Sequence, residues 1–364
     1  MGCAAEISQL LNLSARIGRD PLLVQASSGN TSIKLDGTLW IKASGTWLAH
    51  AAEGQTLVPL DLAELRARLS VASEFTGPGA WVGGTYLRAS IETAMHAMLP
   101  QRVVIHVHSV NTISWAVRLD GKDRLTELLA GMRWTWIPYV SSGLPLARLI
   151  GSAIEEAPGT NILVLANHGL VVCAETCAEA EDLLNEVERR LAAPVRRNTI
   201  WDCGLLSRIE NDSQWKLPES EDLHTLATDP ISRRILADGV LYPCQAMFLG
   251  TKVTSMPDCA FLPEGVDQFE HERDVPAFGV IEGRGIVTNR RMTSSQRAVL
   301  NGLLQVVQRI DEAAPIHYLS DTEVLTLLNE DAHNYQLCTE RNAVPGNQQT
   351  KAAVAGLASE RLLS

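Results

Sequence analysis

The run RVVIHVHSV, residues 102–110, passes without a turn residue into NTISWAVRL, and this junction narrows the fold more than any other feature of the chain. The first segment is rich in β-branched residues and reads as a strand, while the second carries helical periodicity. The same alternation recurs on both sides. NILVLA and LVVC read as strands flanking Asn167-His168-Gly169, and Ala178 to Leu191 reads as an amphipathic helix. Upstream, a helix is expected near residues 5–17. The short β-like runs TSIKL and TLWIKA then follow, separated by the hairpin dipeptide Asp36-Gly37. Ser90 is a plausible N-cap for a helix whose apolar residues Ile91, Met95, Met98 and Leu99 share one face, and Pro100 ends it. Strands that alternate with helices predict an α/β or α+β class.

The chain has 364 residues, more than the roughly 250–300 at which a single core stops growing, so two domains are expected. Hydrophobic residues make up 46% and charged residues 20%, and no apolar run approaches the roughly 18 residues needed to cross a bilayer. No membrane partner is expected. The formal net charge of -11 argues against a phosphate-backbone binder, so nucleic acid is not expected either. The N-terminal stretch reads as an amphipathic helix and not as a signal peptide. Its Met-Gly-Cys start is a poor acylation signal, because Glu6 stands where Ser or Thr is usual. The seven cysteines are scattered and never spaced Cys-x-x-Cys, which fits a reducing cytoplasm better than a disulfide framework or a zinc ribbon.

Composition divides the chain into a first domain over residues 1–195, a polar linker or peripheral segment over 196–230, a second α/β domain over 231–345 and a tail over 346–364. LANHGLVVCAETCAEAEDLLNEVERRL and VIEGRGIVTNRRMTSSQRAVLNGLLQVVQRI align without a gap when Gly169 is set against Gly285. Leu183, Leu184, Val187 and Leu191 then match Val299, Leu300, Leu303 and Val307, whereas His168 matches Arg284. The second domain is therefore readable as a degenerate repeat, although two strand-turn-helix units also resemble each other by chance.

Residues two apart on a strand point to the same face, so His106 and His108 present two imidazoles to one point, a spacing suited to a metal. A pair alone is equally readable as the wet face of a strand. His168, in a turn before Gly169, is the candidate third ligand, and Glu92 offers a carboxylate as base or fourth ligand. His50, His224, His271, His317 and His333 lack such neighbours and read as surface or core residues. His96, one helical turn after Glu92, is readable as a support to the site or as simple packing.

From about residue 5 to 195 the chain resembles the class II aldolase/adducin family. The resemblance lies in SSGNTSIK, LWIKASGTWL, ASIETAMHAMLP, VVIHVHSVNTISWAV and LVLANHGLVV, which occur in the family's order. NTSIK, LWIKASG and SIETAMHAMLP look most like the long aldolases related to the aldolase part of rhamnulose-phosphate aldolase/dehydrogenase proteins. No Rossmann glycine fingerprint follows, so the dehydrogenase part is not expected. The resemblance implies an α/β/α domain around a central, mainly antiparallel sheet. It also implies Zn2+, or another divalent metal, on His106, His108 and His168, with Glu92 as the catalytic acid/base. Substrate phosphate would be bound by Gly29, Asn30, Thr31, Ser44, Gly45 and Ser90, the last at a helix N-terminus that favours an anion. A homo-oligomer is implied too, with a tyrosine lent by a neighbouring subunit; Tyr139 follows the His-x-His strand but does not align to that role.

Two positions depart from the family pattern. Ala89 stands where proline is usual, and Ile91 replaces a second serine, removing one phosphate-binding hydroxyl. Lys34 and Lys42 could supply charge in its place, but lysine is mostly found outside, which favours exposed strand positions for both. The expected function is a zinc-dependent aldolase or lyase acting on a small sugar, sugar acid or ketose phosphate through a metal-stabilised enediolate. Partial burial is expected to raise the Glu92 pKa toward working pH. The alternatives are a metal-dependent epimerase or decarboxylase of the same family, and an adducin-like interaction module without catalysis.

Overall fold

The computed structural model describes residues 2–71, 87–197, 200–212, 214–256 and 276–329. The tail 346–364, the end of the second domain from residue 330, His271 and His333 lie outside these described residues. Helix α1 (Cys3–Gly18) leads into the hairpin of β1 (Asn30–Leu35) and β2 (Thr38–Lys42). The two turn residues, Asp36 at φ 47° and Gly37 at φ 78°, both take the positive φ that a two-residue hairpin of matching twist requires. There follow β3 (Leu57–Asp61), α2 (Leu62–Val71), α3 (Thr93–Met98), β4 (Val103–Val107), α4 (Val110–Ala116) and α5 (Gly121–Leu128). The first half closes with β5 (Trp134–Ile137), α6 (Leu144–Glu156), β6 (Ile162–Leu165), β7 (Gly169–Ala174) and α7 (Cys177–Leu191).

The seven strands form one sheet in the order β3-β2-β1-β4-β7-β6-β5, antiparallel throughout except for the edge pair β5 and β6. Strand alternation sorts the core into two faces. Val103, Ile105 and Val107 pack with Leu10 and Leu13 of α1 and with Leu184 and Val187 of α7. Val104 packs on the other face with Met95 of α3 and with Leu146 and Ile150 of α6. The result is the expected α/β/α arrangement around a mainly antiparallel sheet. Among the described residues no helix is long and apolar enough to cross a membrane.

The remaining elements are α8 (Cys203–Asp212), β8 (Trp215–Lys216), α9 (Thr225–Thr228), α10 (Pro230–Ala237), β9 (Thr254–Ser255), β10 (Phe278–Ile281), β11 (Gly285–Asn289), α11 (Ser294–Val307) and α12 (Asp321–Leu327). Four of these strands form a second sheet in the order β8-β11-β10-β9. The hairpin β10–β11 followed by α11 has the same local form as β6–β7 followed by α7. Ile281 faces Gly285 as Leu165 faces Gly169, and each helix starts with a capping box, Thr176 with Glu179 and Thr293 with Gln296. Residues 196–230, expected as a linker or peripheral segment, instead carry α8, β8 and α9 and bury Leu206, Trp215, Leu223 and Leu226. Their polar composition misled because these elements are short and each buries only a few side chains.

Ser90 is not the N-cap of α3. That helix begins at Thr93 with Glu92 capping it, and Ser90 lies in the preceding turn, where its Oγ accepts from the Glu92 N–H at 3.3 Å. The helix macrodipole therefore has little to offer an anion at Ser90.

The two halves share a core. Val110, Ile113 and Val117, in and just after α4, belong to the same buried cluster as Leu300, Leu303 and Val307 of α11. Leu303→Ala should therefore cost about 2–5 kcal/mol. It should also lower the thermal midpoint of the first half together with that of the second, as read by calorimetry and by exchange protection of β4 amides. A separate, unshifted transition for the first half would contradict the shared core.

Candidate metal centre

His106 lies on β4 opposite Asn30 of β1 and Val171 of β7, in the middle of the sheet. His108 follows two residues later, just past the strand end, and His168 sits in the turn between β6 and β7. The turn can approach because residue 169 is glycine: a Cβ there would stand 2.5 Å from the Val107 carbonyl oxygen. The three rings form a triangle with every pair of centroids 5.0 Å apart, and one nitrogen from each lies within 4.8 Å of the others. All three histidines are buried.

Hydrogen bonding sets the tautomers. His106 Nδ1 faces the Leu170 carbonyl at 3.0 Å, and since a carbonyl only accepts, Nδ1 carries a proton and Nε2 is the nitrogen turned to the site. That Nε2 has no hydrogen-bond partner. Burial pushes the His108 and His168 pKa values down, that of His168 to about 4, so these rings are neutral. Three buried imidazoles converging around an unpartnered nitrogen fit a divalent ion.

Glu92 completes the centre. Its Oε1 stands 3.4 Å from His106 Nε2 and 3.3 Å from His168 Nε2 and has no hydrogen-bond partner. Its Oε2 accepts from Asn30 Nδ2 at 2.6 Å. Burial does push the Glu92 pKa up, as expected from sequence, but attraction by His106 outweighs it and holds the group well below the usual carboxylate range. The carboxylate is thus ionised, not poised near neutrality.

A chain of hydrogen bonds holds it in place. Ser32 Oγ donates to His96 Nδ1 at 2.7 Å, His96 Nε2 donates to Asn30 Oδ1, and Asn30 Nδ2 donates to Glu92 Oε2 and, at 3.2 Å, to Ser90 Oγ. His96 therefore supports the site, and burial keeps it neutral by lowering its pKa to about 3.

A cleft beside the triad is lined by Gly29, Asn30, Ser44, Gly45 and Ser90, together with Glu92, His108 and His168. Thr31 is not among its lining residues. It points to the opposite face of β1, where its hydroxyl meets Ser14 of α1 at 2.6 Å, as strand alternation demands. Lys34 and Lys42 are both buried, contrary to the expected exposure, because β1 and β2 lie inside a sheet covered on both faces. Their ammonium groups donate to the carbonyls of Gln101 at 2.7 Å and Ser27 at 2.8 Å. Burial lowers their pKa values to about 8 and about 7 respectively. Lys42 lines the cleft.

Other parts of the site carry no signal in the sequence. Pro243, Cys244, Met247 and Leu327, all from the C-terminal half, also line the cleft. Cys244 Sγ lies 3.2 Å from His108 Nδ1, and burial pushes its thiol pKa up to about 12. Asn167, at φ 51°, donates from Nδ2 to the carbonyls of Leu241 and His317, each at 2.8 Å, while its Oδ1 accepts from His317 Nδ1 at 2.9 Å. Of the remaining histidines, His50 is exposed beside Glu53, and His224 is buried and stacked on Trp201. Tyr139 packs against Val240, Leu319 and their neighbours and is not part of the cleft lining.

Residues 8–193 match the family model of the class II aldolase and adducin N-terminal domain. The chain belongs to the class II aldolase and adducin family. Among curated relatives, YuxG of Bacillus subtilis, described as an uncharacterized oxidoreductase, is 30% identical over 186 residues, covering 47% of this chain but only 27% of its own. The 3-oxo-tetronate 4-phosphate decarboxylase of Escherichia coli is 29% identical over 173 residues, covering 44% of this chain and 73% of its own. Among solved structures, the N-terminal class II aldolase domain of a conserved protein from Thermoplasma acidophilum has a TM-score of 0.47 at 24% identity. That match covers 52% of this chain and 94% of that one.

The purified protein is expected to hold about one divalent ion per chain, and the double variant His106→Ala, His108→Ala to lose it. Elemental analysis of dialysed, folded protein checks both, and full retention by the double variant would exclude the triad as the ligand set.

Proposed function

We propose that the chain is a zinc-dependent carbon–carbon lyase, an aldolase that cleaves a small sugar, sugar acid or ketose phosphate, with His106, His108 and His168 as ligands and Glu92 as acid/base. One observation carries this reading: a buried Glu92 oxygen without a hydrogen-bond partner stands 3.3 Å and 3.4 Å from imidazole nitrogens of two triad members. Zinc held by the three imidazoles supplies the Lewis acidity that a hydroxyketone needs when its carbon–carbon bond breaks.

The protein residues divide the remaining work. Asn30 pins Glu92 Oε2, which leaves Oε1 to carry the proton to and from the donor carbon. In the cleavage direction the bonding pair stays on that carbon, the ionised Glu92 Oε1 takes up the hydroxyl proton as the aldehyde forms, and it then passes that proton to the carbon, which returns the carboxylate to its starting state. Gly29, Ser44, Gly45 and Ser90 offer backbone and hydroxyl groups to an anionic end of the substrate, and the buried Lys42 supplies charge. Asn30 serves Glu92, its amide being engaged on both sides. The C-terminal wall of Pro243, Met247 and Leu327 limits the access of water.

A second reading is decarboxylation, favoured by the likeness to the 3-oxo-tetronate 4-phosphate decarboxylase. The same carbanion would form with carbon dioxide in place of the aldehyde. A panel of ketose phosphates and sugar acids, assayed for aldehyde and for carbon dioxide, separates the two. No product of either kind, together with absence of bound metal, would favour the non-catalytic module. A homo-oligomer belongs to the same proposal, and sedimentation tests it.

Glu92→Gln keeps the size and one acceptor oxygen but cannot take up a proton. Metal content should survive, turnover should fall by roughly 10²–10⁴, and exchange of the donor-carbon proton with deuterium should fall with it. If Glu92 served only to begin α3, the loss would be about 0.3–1 kcal/mol of stability with turnover nearly intact. Near-normal turnover and exchange in the metal-loaded variant would therefore reject the mechanism.

A further inference from the structure

We infer that the C-terminal half of the chain completes the metal centre within the same subunit, with Cys244 orienting His108 and the Leu241 and His317 backbone orienting the His168 turn through Asn167. The inference rests on the metal-dependent reading above and assigns a role to a half of the chain outside the matched family region, residues 8–193.

Two independent contacts carry it. The first fixes a ring. An imidazole that offers Nε2 to a metal must carry its proton on Nδ1, and that N–H needs an acceptor in a buried site. His106 finds one in the Leu170 carbonyl of the adjacent strand. His108 lies past the strand end, and its Nδ1 meets Cys244 Sγ at 3.2 Å. With Nε2 given to a metal, Nδ1 carries the proton, and the Cys244 sulfur is the acceptor within reach that holds the ring in the ligating tautomer.

The second contact fixes a turn. Asn167 holds the left-handed backbone that residues other than glycine rarely adopt, and it directly precedes His168. Its amide makes three hydrogen bonds, all to residues of the C-terminal half: Leu241, and His317 through both its carbonyl and its ring. The Asn167 N–H is bonded to the Ala116 carbonyl at 3.1 Å. The turn is thus over-determined from both sides, which is how a strained conformation persists at a site. Cys244 and Asn167 are positioning residues. They act through the ligands and touch no reacting atom.

The test uses the full chain with zinc alone as probe, by competition with a chelator, and with cobalt(II), whose visible absorption reports ligand geometry. The variants are Cys244→Ala, Cys244→Ser and Asn167→Gly; glycine keeps the left-handed backbone and removes only the amide. Loss of such outer contacts is expected to weaken zinc binding about 10–100-fold in Cys244→Ala and in Asn167→Gly. The cobalt spectrum should change with it. Serine at position 244 should restore most of the affinity, since its hydroxyl can accept the same hydrogen bond. A purely structural role would lower the melting temperature and leave zinc affinity and the cobalt spectrum unchanged, and that result in folded Cys244→Ala overturns the inference even if Asn167→Gly fails to fold. If Cys244→Ala fails to fold, unchanged affinity and spectrum in Asn167→Gly overturn it; if both fail, a Cys244→Ser protein with wild-type affinity and spectrum supports it and one that loses zinc overturns it. Cys244-dependent zinc binding without any cleavage activity would instead leave the inference standing and reject the lyase reading.

Discussion

The site depends on the register of β4 between β1 and β7. That register sets His106 opposite Asn30 on one side and Val171 on the other, so that one face of three adjacent strands carries both the ligand and the group that holds the carboxylate. A slip by one residue would turn His106 toward α1 and α7 and send Ile105 to the site face. The apolar alternation of Val103, Ile105 and Val107 against a packed helix layer makes that slip costly. Ordinary core packing therefore fixes the position of the chemistry.

The polar groups of this face are unusually interdependent. Ser32, His96, Asn30 and Glu92 each have their hydrogen-bonding capacity directed by the next, and all are buried. In a low-dielectric interior such a chain is rigid when every member is satisfied. Two atoms break the pattern: Glu92 Oε1 and His106 Nε2 have no partner, and they face one another. Buried polar atoms are rarely left so in native proteins, and a carboxylate oxygen set among converging imidazole nitrogens suits a cation.

Much of this was legible in the sequence because it is local. The two-residue spacing of His106 and His108 follows from strand geometry, and the His168 turn from a glycine between two apolar runs. The hairpin at Asp36-Gly37 and the helix Cys177–Leu191 were equally readable. The errors share a cause, which is that burial is set by tertiary neighbours. Lys34 and Lys42 look like exposed strand lysines until the sheet order places their strands inside. Thr31 is assigned to phosphate by the resemblance until pairing with β4 shows which way it points. The segment 196–230 looks like a linker because its apolar residues, Leu205, Leu206 and Trp215 among them, are few and show no sustained period. Cys244 and His317 could not be found at all: neither has ligand spacing, and their partners are 136 and 150 residues away.

The Asn167 amide gives the chain a temporal order. Its partners lie 74 and 150 residues further along, so a ribosome must pass residue 317 before the turn that carries His168 can be held. Until then the nascent first half has His106 on its strand and His108 just past it, while the turn carrying His168 lacks the side-chain bonds of Asn167. Long-range contacts of this kind form late, because the loop they close is large. The centre would then mature only after residue 317 has been made, and a ribosome stalled before it would carry a sheet without a finished centre.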